Sequence, residues 1–319
     1  MLTIRGACPG QITVAATGLS LGGPIGFMTG LPGSDPMLAG PCAGDATGLA
    51  EPRPVLLTTA AGDGTFVVEP TLGAEFCRGS LQVVDLVSCR LSNRASLGGD
   101  KLFVAGGRGG SSGLWTIDVE TGEVDFVGDP EGGYTGLTFH TDGALYGIRS
   151  AAGGEGGDLD RLDPATAVSE LVAEVPATSE AGIGSFRGEI YAYNQFDVFG
   201  TVDLADGTFS DFGWLGGDDI SGYGLALAST DEELFMVNGD TLFSVDVDAL
   251  SLNSVGSVGL SGSGRGGAAT FHRGELWFAQ ESGGATLLYR VDLETGEGRY
   301  SGLALPTDSI DGMASPNPL

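Results

Sequence analysis

The chain has 319 residues, 41% of them hydrophobic and 57 of them glycine: enough apolar material for two modest cores, and too much for a disordered chain. Its 42 acidic side chains stand against 14 basic ones, a net charge of -28, which repels phosphate backbones and argues against nucleic acid and anionic membrane surfaces as partners. No apolar run approaches the ~18 residues needed to cross a bilayer, and the opening MLTIRGACPG lacks the basic region and apolar core of a signal peptide, so a soluble chain without membrane insertion is expected.

Residues 1–96 read as short strands. Period-two alternation runs through LTIRGA, QITVAATG, PIGFMTG, VLLTTAAG, GTFVVEP and SLQVVDLVSC, with Gly, Pro, Asp and Ser at the joins. About seven strands in this length predict an immunoglobulin-like β-sandwich without helix. The segment holds only 7 acidic and 5 basic side chains, against 35 and 9 in the remainder.

All four cysteines, Cys8, Cys42, Cys77 and Cys89, lie in this segment, with none of the close paired spacing of a zinc or redox motif. An even count in one small domain predicts two disulfides and an oxidising compartment; four buried free thiols are the alternative. Of the three possible pairings, Cys8 with Cys42 and Cys77 with Cys89 is preferred, because each closes a local loop. With disulfides comes the expectation of a secretion signal ahead of residue 1. The segment also contains GLSLG, Gly18 to Gly22, a formal match to a nucleophile elbow around Ser20. The next residues begin another strand, and the chain's only histidines, His140 and His272, lie far downstream, so Ser20 reads as a turn residue.

CPGQITVAATG, GPCAGDATGL and LQVVDLVSC together resemble a domain of secreted proteins from myxobacteria and related predatory or marine bacteria. That resemblance, over roughly residues 2 to 95, implies an extracellular address and a spacer or presenting module, with no catalytic role to carry over.

From residue 97 the chain repeats. A small-residue strand (GLTFH, GIGSF, GLALA, AATFH, DGMAS) precedes a strand with an aromatic (ALYGI, EIYAY, ELFMV, ELWFA, and KLFVA earlier). A third strand ends in an aspartate turn and a fourth follows, as in EVDFVGD. The turn aspartates, Asp118, Asp163, Asp203, Asp246 and Asp292, are 45, 40, 43 and 46 residues apart, the period of a four-stranded propeller blade. There are five third strands, a leading second strand near Lys101 and an orphan first strand, Gly312 to Ser315. The expectation is a five-bladed β-propeller over 97–319, its ring closed by the C-terminal strand. YTGLTFHTDGALYGI and IDVETGEVDFVG resemble bacterial propeller families that repeat TGLxFxxDGxLY and then DxxTG, which implies the fold and no residue-level activity.

Residues just before the inner strands should converge on one face around the axis. They are Tyr134 and Thr135, Glu180, Asp219 with Ser221 and Tyr223, Arg265, and Asp308 with Asp311. Aromatics beside carboxylates and one arginine suit a sugar or small polar ligand, so Tyr134, Glu180, Asp219, Tyr223, Arg265 and Asp311 are the candidate ligand-binding residues, with Arg265 and Asp311 expected outside the core. The inner strands themselves read as free of acids, which weighs against a paired-carboxylate glycosidase. His140 and His272 share a repeat position and suit packing or hydrogen bonding better than a metal pair. GSGRGG, Gly262 to Gly267, matches a dinucleotide fingerprint but precedes a strand and not a helix. Asp158, Asp160 and Asp163 offer three hard oxygens in six residues, which makes calcium conceivable, although third-strand aspartates recur as turn formers.

The expected function is a non-enzymatic extracellular or cell-surface protein whose sandwich spaces or anchors a propeller that recognises a glycan, a protein or a neighbouring copy. The alternatives are a calcium-assisted hydrolase or lyase at the propeller mouth and a subunit of an extracellular polymer. No catalytic residue and no cofactor is assigned beyond possible calcium.

Overall fold

A computed structural model describes residues 2–6, 10–32, 42, 49–72, 80–92, 95–96, 101–106, 113–130, 132–150, 157–175, 182–193, 198–213, 215, 225–230, 232–259, 267–282, 284–305 and 310–316. The described residues form strands, turns, bends and irregular connections, with no helix among them, and so none long and apolar enough to cross a membrane. The chain divides into two compact units, 1–100 and 101–319.

Among its described residues, the first unit forms two antiparallel sheets. Strands β1 (Leu2–Gly6), β2 (Gly10–Ala16), β3 (Pro24–Pro32) and β4 (Leu49–Thr59) are followed by the short β5 (Phe66–Val68) and β6 (Thr71–Leu72). Then come β7 (Ser80–Asp85), β8 (Arg90–Leu91) and β9 (Ala95–Ser96). One sheet runs β1-β2-β5 with β6 also on β2; the other runs β4-β3-β7-β8 with β9 also on β7. The period-two pattern explains the pairing: Leu2, Ile12, Val14 and Ala16 from the first sheet meet Ile25, Phe27, Leu81 and Val83 from the second in one core. Met28 and Val84, on the opposite face of the second sheet, pack with Leu49 and Cys42.

That second cluster explains the disulfide. Cys42 bridges Cys89, with Cα atoms 5.4 Å apart and 47 residues between them in sequence. The preferred pairings Cys8–Cys42 and Cys77–Cys89 are therefore both incorrect, since each uses one of these two cysteines. Local loop closure was the wrong criterion: Cys42, 3% exposed, is part of the cluster over the outer face of the second sheet and is tied to the turn that follows β7. Cys8 and Cys77 lie outside the described residues.

Ser20 behaves as a turn residue. Its amide and hydroxyl both donate to Asp85 Oδ2, at 2.8 and 2.6 Å, which ties the β2–β3 connection to the end of β7. Burial raises the Asp85 pKa, but donors from Ser20, Val87 and Ser88 outweigh it and hold the carboxyl down at about 2.

Among the described residues, the second unit contains five four-stranded antiparallel sheets. The first begins with β10 (Lys101–Gly106), β11 (Gly113–Asp118) and β12 (Val124–Gly128); β13 (Tyr134–Phe139), β14 (Leu145–Ser150), β15 (Gly157–Leu162) and β16 (Ser169–Val175) form the second. The third is β17 (Gly182–Phe186), β18 (Glu189–Tyr193), β19 (Phe199–Val202) and β20 (Phe209–Gly213). The fourth is β21 (Leu225–Ser229), β22 (Leu234–Asn238), β23 (Thr241–Asp246) and β24 (Ser251–Ser257). The fifth is β25 (Gly267–His272), β26 (Glu275–Ser282), β27 (Ala285–Val291) and β28 (Gly298–Leu305). The last strand, β29 (Ile310–Ala314), returns to pair with β10, placing Ala314 opposite Phe103 and Met313 opposite Val104. Inner strands β13, β17, β21, β25 and β29 neighbour one another in a closed cycle, as a propeller requires.

Five apolar clusters sit one at each junction of neighbouring sheets, Phe103 with Leu137 and Tyr146 with Ile190 among them, and Trp277 with Met313 closes the last. The aspartates of the repeat serve the turns: Asp118, Asp246 and Asp292 each accept from two following backbone amides, and Asp163 and Asp203 each accept from one, that of Ala165 and Ala205 respectively. The Arg-Gly hairpins of FRGE and HRGE hold Arg187 and Arg273 at φ 52° and 53°, and each guanidinium reaches an acid of an adjacent sheet, Asp248 and Glu120 respectively.

Candidate functional site at the mouth of the ring

The inner strands approach one another too closely to leave a bore. Gly136, Gly182, Ala226, Ala268 and Gly312 occupy one repeat position in the five strands, and a Cβ on Gly312 would lie 2.8 Å from Leu137 Cγ. The cavity lined by Gly136, Gly182, Ala226 and Ala268, together with Thr135 and Asp311, leaves about 10 Å³ for the centre of a water molecule, room for roughly one. Among the described residues, then, the axis of the ring admits no ligand between these strands.

Counting back one residue from these small positions gives Thr135, Leu225, Gly267 and Asp311: Leu225 and Gly267 pair with Asn238 and Gln280, whereas Thr135 and Asp311 fall in register shifts, as β-bulges beside the pairs Tyr134–Arg149 and Ile310–Gly106. Two of the four are polar, and both line the cavity. Asp311 is 8% exposed and Thr135 5%, so Asp311 lies in the core, contrary to the expectation that it stands outside it. The strand also begins earlier than its sequence suggests: β29 starts at Ile310, which puts an acid on an inner strand after all. Glu180, Asp219, Tyr223 and Arg265, with Ser221 and Asp308, lie outside the described residues.

Tyr134 turns away from the mouth. It is fully buried, and its ring passes over Gly147, where a Cβ would be 2.5 Å from Tyr134 Cδ1, to donate its hydroxyl to Asp160 Oδ2 at 2.7 Å. Burial and then the hydrogen bond to Asp160 raise its pKa far above the ordinary tyrosine value. Arg149 joins the network through Asp158 Oδ2 at 2.8 Å and Asp160 Oδ2 at 3.3 Å. Asp160 is 1% exposed, and its Oδ1 has no hydrogen-bond partner among the described residues. The sequence carries a signal for this network: Arg149 and Asp158 fall opposite each other when β14 and β15 pair. Asp158 and Asp160 thus share a guanidinium, whereas Asp163 accepts from the Ala165 amide at the far end of the strand. The calcium candidates do not converge on one point, and no metal-ligating group of three or more is found among the described residues.

The histidines occupy matching strand ends in two different sheets and make junction contacts. His140 Nε2 lies 2.9 Å from the Gly188 carbonyl oxygen of the next sheet, and Nδ1 faces Asp142 at 3.3 Å. Tyr146 donates to the same carboxylate, and its own pKa is pushed up to about 12 by burial and then by that bond. His272 Nδ1 lies 2.8 Å from Ser315 Oγ, just beyond β29. This serine–histidine pair is buried, at 4% and 1% exposure, and Nε2 has no partner among the described residues, so it lacks the carboxylate that orients a catalytic base. Burial, then Arg290, lowers the His272 pKa from 6.5 to about 4.

No protein-family model and no curated protein matches the chain. Among solved structures it is similar to one from a nidogen/laminin complex, with TM-score 0.44 and 10% identity over 74% of this chain and 94% of that one. An auxiliary nutrient binding protein from Bacteroides ovatus gives 0.42 and 8% identity over 94% and 85%. TolB from Acinetobacter baumannii gives 0.40 and 12% over 99% and 82%. Likeness at these scores carries no argument about function, and the resemblance of the first domain to secreted myxobacterial proteins rests on its quoted stretches alone.

Proposed function

We propose that residues 101–319 form a five-bladed propeller that serves as a binding module, recognising a glycan or a protein at its mouth, with Thr135 and Asp311 as part of the floor. The observation that carries this reading is the polar pair at two bulges in the cavity wall, where the corresponding residues of other strands are the paired Leu225 and Gly267. Glu180, Asp219, Tyr223 and Arg265 belong to the connections that lead into the same strand ends and complete the proposed site. The strand orders β1-β2-β5 and β4-β3-β7-β8 fit an immunoglobulin-like module acting as spacer or anchor, and the Cys42–Cys89 bridge fits a secreted or cell-surface address.

The reading favours binding over catalysis, because Asp311 is the one carboxylate on the described cavity wall, whereas glycoside hydrolysis needs two. Glycan and protein arrays probed with the whole chain would identify a ligand. Asp311→Asn keeps the shape of a core side chain and should abolish that binding while tryptophan fluorescence stays native. Arg265→Ala should weaken it. Full binding by both variants would move the function away from the mouth, and turnover of an array glycan that disappears in Asp311→Asn would replace binding with catalysis.

A further inference from the structure

We propose that the second half of β4, Val55–Thr59, is a self-association edge to which a second copy of this chain adds its own β4 in antiparallel register, giving a sandwich-to-sandwich dimer. Strand β4 ends its sheet: β3 lies on one side, and no described strand lies on the other. Alternate residues of such a strand direct their amide and carbonyl groups outward, where a second strand satisfies them whatever its side chains. Val55, Leu56 and Leu57 are 49, 39 and 70% exposed; Val55 lies at a bulge, and Leu56 and Leu57, consecutive in regular register and so on opposite faces, are both open to solvent. A chain that keeps three adjacent large apolar residues on an edge presents a template for β-augmentation.

The two halves of the strand differ. Pro52 and Pro54 remove two amides from the first half, and the register shifts within β3–β4 also fall there and at Val55; Leu56–Thr59 then runs in regular register with Pro24–Phe27. The guarded half restricts pairing to the segment that follows, which fixes a short register centred near Leu57.

Charge selects the occupant. Residues 1–100 carry five basic and eight acidic side chains, whereas residues 101–319 carry nine basic and 34 acidic. Two copies meeting through the ring would bring strongly like-charged surfaces within a Debye length of about 8 Å. No charged residue occurs between Arg53 and Asp63, so β4 offers a contact at which two copies approach with little repulsion. A basic partner would instead be drawn to the ring.

Sedimentation velocity of the whole chain over a range of concentration and salt tests this. The expected result is a reversible monomer–dimer equilibrium that strengthens with salt, as residual repulsion is screened, and that Leu57→Lys and Leu57→Glu both abolish without shifting the thermal melt. Leu57→Cys should form a disulfide-linked dimer, whereas Leu21→Cys, at a site 73% exposed in the same unit, should not. A monomer under every condition, a dimer that survives both charged variants, or equal cross-linking from the two cysteine positions would overturn the proposal.

Discussion

Acid should loosen the ring through His272 before it loosens the sandwich. The side chain is 1% exposed, bonded to Ser315 at the junction that β29 closes, and held neutral because burial, then Arg290, lowers its pKa from 6.5 to about 4. In the unfolded chain the imidazole takes up its proton near 6.5, while the folded ring refuses it until about 4. Stability from this group is therefore intact above 6.5, falls as the pH drops through that window, and is lost below 4. About 2.5 pK units correspond to roughly 3 kcal/mol, a large share of the stability of a single domain. Asp85 works in a different window: a carboxyl held down at about 2 stabilises the first unit above its ordinary value of 3.8, and that contribution disappears only as the pH falls towards 2.

The chain's composition separates the two effects. All three tryptophans, at 115, 214 and 277, belong to residues 101–319, so denaturant titrations followed by tryptophan fluorescence report on the ring alone. Protonation of other carboxylates relieves the repulsion of a chain at -28 and acts in the opposite direction, so the quantity to measure is the stability of wild type minus that of His272→Gln at each pH. That difference should shrink by about 3 kcal/mol between neutral pH and about 4. With only two histidines in the chain, the His272 imidazole resonance can be assigned by its loss in the variant, and it should remain at its neutral position down to about pH 5. A difference that does not change with pH, or a resonance that titrates near 6.5, would refute the buried neutral state.

Tyr134→Phe removes the hydroxyl that donates to Asp160 and leaves a buried carboxylate with one donor fewer; it should lower ring stability by about 1–3 kcal/mol in the same fluorescence titration, with ligand binding unchanged. Nonreducing peptide mapping should recover Cys42 joined to Cys89, and Cys42→Ala with Cys89→Ala should lower sandwich stability by up to about 4 kcal/mol for a loop of 47 residues, read by far-ultraviolet circular dichroism.

The fold was legible wherever a physical requirement recurs. A strand that must approach its neighbours repeats small residues, a junction between sheets repeats an aromatic, and a tight turn repeats an aspartate; together these set the period of the ring and the pairing of β29 with β10. What was lost is what happens once. The Cys42–Cys89 bridge follows from a local apolar cluster over one face of the sandwich, which no repeat reflects. Tyr134 stands before an inner strand as a mouth residue should, yet a single glycine at 147 lets its ring fold inward to Asp160, and only the pairing of β13 with β14 reveals that glycine beneath it. The same reasoning gives a rule for finding the site. Positions that obey the repeat serve the ring, so function is to be sought where one strand departs from it. Asp311 is such a departure: a buried carboxylate at a bulge of β29, where the corresponding residues of other strands are the paired Leu225 and Gly267.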